Sequence, residues 1–142
     1  MPLSLSKLDN LVRIGQLKAE PRNEAEGRRM LAMARTHLKD ARLAGVSREG
    51  RFISAYTAGH AAALAILRWH GYRSENRYLV FQCLEHTLGF TPKQWLLLDQ
   101  AHKKRNLAEY EGDLDVTVGF VEELIEHAAV LIAAAQALEI PS

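Results

Sequence analysis

From Asp99 to Tyr110 the chain gathers groups that hold anions and move protons. Asp99, His102, Arg105, Asn106 and Glu109 recur at intervals of three and four, so on a helix they form one polar stripe. A guanidinium presents a rigid fork of N–H donors that fits phosphate or carboxylate. An amide beside it adds a donor and an acceptor, and an imidazole exchanges protons near neutral pH. Lys103, Lys104 and Arg105 supply a local cationic run suited to phosphate or nucleic acid. A plainer account places the same charges near a helix C-terminus, where the macrodipole favours them. It covers the lysines and leaves Asn106 and Tyr110 without a role.

The element that must position these groups has clear ends. Thr91 is the expected N-cap, Pro92 suits the first helical position, and Gln94 completes a capping box. The helix runs through Trp95, Leu96, Leu97 and Leu98 and stops at Gly112. Five further helices are expected. The first covers about 6–19, capped by Ser6 and ended by Pro21. The second covers about 23–43, with Leu31, Ala34, Leu38 and Ala41 inward, and the third follows a Ser47 cap and ends at Gly71. In the third, Ala55, Ala58, Gly59 and Ala62 are small enough to let a neighbouring helix close in. Ser74 is expected to cap a fourth helix to about Leu88. Asp113 is expected to cap a sixth over about 114–138, with Pro141 closing the chain. No period-two alternation or hairpin turn predicts a strand. The expectation is an all-α, up-and-down bundle of about five to six helices in a single domain over 1–142, with 1–21 as an N-terminal helix accessory to the core.

Composition sets bounds on function. The chain has 142 residues, 48% hydrophobic and 25% charged, which is globular rather than disordered. Its net charge of +1 provides no global basic field, so any nucleic-acid contact must be local. The single cysteine, Cys83, excludes an internal disulfide and fits a reducing, cytoplasmic setting. No signal-peptide layout opens the chain, and the apolar run 128–135 is too short to span a bilayer, so no membrane role is expected. Bundle di-iron sites need paired Glu-x-x-His motifs; the only acidic-x-x-His here is Asp99–His102, and Glu123 with His127 lacks a third ligand. Neither metal nor cofactor is expected. Cys83 precedes Glu85 and His86, but near neighbours in sequence do not face each other on a helix, so a buried, inert thiol is expected. Arg28–Arg29 and Arg48 with Arg51 read as solvated helix faces.

The Arg105-Asn106 pair resembles the signature of the HEPN superfamily, small all-α domains with an Arg-x(4–6)-His motif and a polar residue after the arginine. The run from Arg51 through Leu64, followed by Gly71-Tyr72-Arg73, is similar to the Ala-rich helix and Gly-x-Arg turn of bacterial HEPN proteins. The likeness covers roughly 24–138. It implies a metal-independent endoribonuclease whose Arg/His motifs meet in the cleft of a homodimer. There a ribose 2′-OH attacks the adjacent phosphate, histidine handles protons and arginine stabilises charge on phosphorus. The departure is that Tyr110 stands where the histidine belongs. Tyrosine titrates near pKa ~10 and is almost never a base at neutral pH. Losing an acid–base group costs roughly two to four orders of magnitude in rate.

The resemblance therefore assigns the catalytic set to Arg105, Asn106, Tyr110 and His102. Tyr110 would act as a weak acid, or His102 as a replacement base. Three functions stay open. The first is a toxin-like endoribonuclease, degraded by the missing histidine. The second is a non-catalytic HEPN module that binds RNA or a nucleotide, or pairs with a nucleotidyltransferase-like or antitoxin partner, with the Tyr110 hydroxyl as a binding or modification point. The third is a bundle whose only role is assembly.

Overall fold

Asn23 and Ser47 open the two long helices that frame the molecule. In the computed structural model, which describes residues 5–112 and 114–138, Asn23 Oδ1 accepts from Glu26 N at 3.0 Å and Ser47 Oγ accepts from Gly50 N at 3.0 Å. Each bond satisfies one of the donors a helix start leaves unpaired. In chain order the elements are α1 (Leu5–Arg13), β1 (Lys18–Ala19), α2 (Glu24–Ala41), α3 (Arg48–Trp69), β2 (Tyr72–Arg73), α4 (Arg77–Gln82), α5 (Leu84–Thr87), α6 (Pro92–Glu111) and α7 (Val118–Ala137). The fold is an all-α helical bundle. No helix among the described residues is long and apolar enough to cross a membrane.

The centre is α3, buried on more than one side through Phe52, Ala55, Ala58, Ala62 and Ile66. It packs against α2, α6 and α7. A Cβ at Gly59 would lie 3.6 Å from Leu98 Cδ2 on α6 and 4.0 Å from Ala128 Cβ on α7. The small residues of α3 thus set how closely α6 and α7 approach it, as their pattern predicts. Leu31 and Leu38 from α2, with Leu124, Leu131 and Ile132 from α7, fill the remaining layers. Each such leucine contributes roughly 1.5–3 kcal/mol when fully withdrawn from water.

Several expected boundaries are corrected. The first helix ends at Arg13, not Ala19, because Gly15 adopts φ +81° and turns the chain out of the helix. Leu17 then drops into the core, and Lys18–Ala19 pairs antiparallel with Tyr72–Arg73, a two-residue ladder too short to leave a periodic signal. Ser6 lies within α1 rather than before it. Ser74 does not cap the next helix. Its Oγ accepts from Asn76 N at 3.1 Å to form a turn, and Asn76 Oδ1 accepts from Leu79 N at 3.1 Å to open α4. The expected fourth helix is also split at Cys83. The last helix begins at Val118, where Thr117 Oγ1 accepts from Phe120 N at 3.0 Å. The Asp113 and Pro141 assignments lie outside the described residues. α6 matches its prediction: Gln94 Oε1 accepts from Thr91 N at 2.8 Å, and Gly112 closes the helix at φ +70°.

A polar cluster ties the β pair to the bundle. Arg68, 3% exposed, donates to Glu26 Oε1 at 2.8 Å and to the carbonyls of Glu20 at 2.9 Å and Pro21 at 2.8 Å. Arg73 adds bonds to Glu20, at 2.7 Å, and to Glu26. Burial alone would raise the Glu26 carboxyl, but the hydrogen bonds from Arg73 and Arg68 outweigh it and hold the pKa below its ordinary value. Leu8 of α1 is fully buried in the common core, and the Tyr72 hydroxyl donates to Asp9 on the same helix.

Candidate functional site

The polar stripe of α6 exists, and two of its members meet α3. His102 receives contacts on both ring nitrogens: Tyr56 Oη lies 3.1 Å from Nδ1, and Asn106 Nδ2 lies 3.2 Å from Nε2. With the Asn106 amide nitrogen donating to Nε2, the imidazole carries its proton on Nδ1 and donates it to the tyrosine oxygen. The Tyr56 proton is then directed elsewhere. Burial chiefly raises the Tyr56 pKa, opposed by the Arg77 and Arg105 guanidiniums, so the group stays a phenol at neutral pH. Burial also lowers the His102 pKa; the nearby Asp99 opposes that shift and Arg105 reinforces it. His102 is therefore a neutral ring engaged at both ends, and it orients Tyr56.

Tyr56 borders a cavity of about 270 Å³ between α3, α4 and α6, which it shares with Thr57, His60, Arg77, Arg105 and Glu109. Three helices supply its polar wall. Arg105 is three-quarters buried, lies with its guanidinium carbon 5.5 Å from the Tyr56 ring centroid, and bonds Glu109 Oε1 through Nη2 at 3.0 Å. Arg77 is exposed and, among the described residues, has no carboxylate within 4 Å. Two guanidiniums against one carboxylate leave the wall with a net positive charge. His60, edge-on to the Phe81 ring at 5.8 Å, has its pKa lowered to about 4, first by burial and then by the charges of Arg77 and Arg105. It is neutral at pH 7.

The other nominated residues lie apart from this cavity. Lys103 Nζ pairs with Asp99 Oδ2 at 3.1 Å. Lys104 Nζ donates to the Asp115 carbonyl at 2.9 Å and sits 5.3 Å from the Phe120 ring centroid. Both lysines are engaged in holding α6 or the turn after it. Tyr110 is 85% exposed. Five residues along a helix amount to a rotation of about 140°, so Tyr110 and Arg105 leave α6 in different directions. Tyr110 instead shares a shallow hollow with Lys103, Asn106 and Leu107.

Tyr56, His60 and Arg77 were not singled out by the residue pattern, although each lines the cavity. Tyr56 and His60 had a detectable signal, since they are polar groups one turn apart in the apolar stripe of α3. Arg77 had none, because its proximity to α6 is purely tertiary. Elsewhere, burial pushes the Cys83 thiol up to about 12. The described residues bring no group of three or more His, Cys, Asp or Glu side chains together for a metal ion. His127 Nδ1 donates to the Glu123 carbonyl at 3.1 Å.

No protein-family model matches the chain, and no curated protein or solved structure matches it significantly.

Proposed function

We propose that the cavity between α3, α4 and α6 is a phosphate site, and that the chain is a HEPN-like domain acting on RNA or nucleotides, with metal-independent endoribonuclease activity as its chemistry. The observation that carries this reading is the convergence of Arg77 and Arg105 on one cavity beside a tyrosine hydroxyl and an imidazole, with Ile53 and Ala108 completing its lining. A guanidinium pair suits a phosphate, and its charge stabilises what builds on phosphorus in a displacement. The volume of about 270 Å³ falls below the roughly 300–1,000 Å³ of most small-molecule sites, which suits one phosphate and its ribose better than a whole nucleotide. Thr57 and Tyr56 supply hydroxyls to orient the oxygens. Asn106 acts through His102, as a positioning residue for Tyr56.

The test is cleavage of single-stranded RNA in EDTA by the wild-type chain and by Arg105→Ala. The expected result is cleavage that survives EDTA and falls by about two to three orders of magnitude in the variant. Equal cleavage by both proteins refutes the assignment.

A second reading is favoured by the exposure of Tyr110: a binding module that meets a second chain through the outer face of α6. Leu96, Leu107 and Tyr110 are 48%, 51% and 85% exposed, and their spacing places them on one stripe. That stripe supports a homodimer, or contact with a nucleotidyltransferase-like or antitoxin partner. Under this reading RNA or nucleotide binds without turnover, and Leu107→Glu disrupts self-association in sedimentation experiments. A wild-type chain that sediments as a monomer at all concentrations excludes the homodimer.

A further inference from the structure

We propose that the cavity takes up its anion together with a proton, and that His60 is the group that accepts it; this rests on the phosphate-site reading and assigns a regulation to that site. His60 lines the cavity one turn after Tyr56 on the same face of α3. Neither of its ring nitrogens has a hydrogen-bond partner among the described residues, whereas His102 is bonded at both. The groups facing it are Tyr56 and Thr57 from α3, Arg77 and Phe81 from α4, and His102, Arg105 and Glu109 from α6. The His60 nitrogens are not among the buried polar atoms left without a partner, so the ring presents its polar edge to the open cavity, beside two guanidiniums. That arrangement suits a ligand that brings negative charge.

The linkage has a definite sign. In the free protein, burial and the two guanidiniums keep the ring neutral, with a pKa of about 4. A bound oxyanion offsets the guanidinium charges and places its own charge beside the ring, so the pKa in the complex rises. Between the free and bound values, binding draws one proton from solvent, and affinity increases as pH falls, by up to about tenfold per pH unit. The neutral ring offers an anion one N–H and no charge, whereas the protonated ring offers two N–H donors and a positive charge, so the anion favours the protonated form. The state of His60 also sets the ligand charge the wall matches. With a neutral ring the wall carries one net positive charge, which suits a phosphodiester. With a protonated ring it carries two, which suits a doubly charged tetrahedral oxyanion such as a terminal phosphate.

Sulfate is the probe, because it does not titrate where histidine does. Calorimetric titration of the full chain with sulfate at about pH 6 and about pH 5, in two buffers of different ionisation enthalpy, reads the protons exchanged on binding. The expected result is net proton uptake on sulfate binding that grows as the pH is lowered from about 6 toward about 5, with affinity that strengthens toward acid. His60→Gln is expected to bind sulfate with neither uptake nor pH dependence. Sulfate binding by the wild type without uptake overturns the proposal, as does uptake that persists in His60→Gln. Failure of the wild type to bind sulfate at any pH overturns the phosphate-site reading beneath it. The wild-type measurement alone decides whether a proton is taken up, so a poorly folded variant does not rescue the idea.

Discussion

Replacing Glu109 by Gln should strengthen anion binding at the cavity, which separates an electrostatic site from one that uses Glu109 as a catalytic carboxylate. Glu109 holds the Arg105 guanidinium at 3.0 Å, and its side chain is 53% exposed. The ion pair is solvated and spans one helical turn, so its loss should cost no more than about 0.5 kcal/mol of stability. The effect on binding is larger. A carboxylate about 5 Å from a bound anion repels it by roughly 332/(80 × 5), or about 0.8 kcal/mol, in a water-like medium. Glutamine removes that repulsion, keeps the shape and releases Arg105 to face the ligand. For doubly charged sulfate the repulsion removed doubles to about 1.6 kcal/mol, equivalent to roughly fifteenfold tighter binding. Sulfate titration at low ionic strength measures it, and added salt should shrink the gain because exposed charges are screened. Unchanged or weaker binding in Glu109→Gln would show that the anion does not sit beside Arg105, and the site would have to be moved or abandoned.

Other expectations follow from the same contacts. Gly59→Ala should stabilise the fold by about 0.5–1 kcal/mol, since a Cβ there meets neighbours at ordinary distances of 3.6 and 4.0 Å and alanine favours the helix. Gly59→Leu should destabilise it by about 1–3 kcal/mol through overpacking against α6 and α7, with urea denaturation reading both. Arg68→Ala should cost about 1–3 kcal/mol, because it leaves the Glu20 and Pro21 carbonyls without their donor and the Glu26 carboxylate with Arg73 alone. Glu26 titrates below its ordinary value in the fold, so its contribution is complete above about pH 4.5 and is lost as pH falls through the depressed pKa. Acid denaturation of the wild type should show that loss, and Arg68→Ala should reduce it while Arg73 preserves the rest. Tyr110→Ala should leave sulfate affinity within about twofold and stability within about 0.5 kcal/mol, as for other surface substitutions. A large fall in sulfate affinity would place Tyr110 in the cavity after all.

The parts of this fold legible in the sequence are those whose causes are local. Ser47, Thr91 and Gly112 end helices through bonds or backbone angles that involve residues within a few positions, and the capping box at Gln94 needs nothing beyond its own turn. The apolar face of α3 and its small residues follow from spacing alone. Gly15 carried a local signal as well, a glycine after a helical stretch, yet the run of polar residues beyond it reads equally well as more helix. The β1–β2 pair could not be anticipated. Two residues cannot establish a period, and its partner strand lies across α2 and α3 in sequence. Arg77 is the same case at the site: its significance is set by how α4 docks between α3 and α6, not by any residue beside it.

The structure separates Arg105 from Tyr110, two residues that the linear pattern groups together. An arginine and a residue five positions later diverge by about 140° on a helix, so one chain cannot bring both to a single ligand while α6 stays regular. α6 does stay regular, because Gly112 ends it only after Tyr110. Chemistry within one protomer must therefore come from what the bundle packs against Arg105, namely Tyr56 and His60 from α3 and Arg77 from α4. Any role for Tyr110 belongs to a second molecule arriving at the outer face of α6. The two readings of the chain thus divide along the helix itself: its inner face bears the proposed phosphate chemistry, and its outer face bears the proposed partner. Substitutions at Arg77 and His60 should act on the first without touching the second, and substitutions at Leu107 and Tyr110 should do the reverse. A change on one face that altered both would imply that the cavity is completed only when the partner binds.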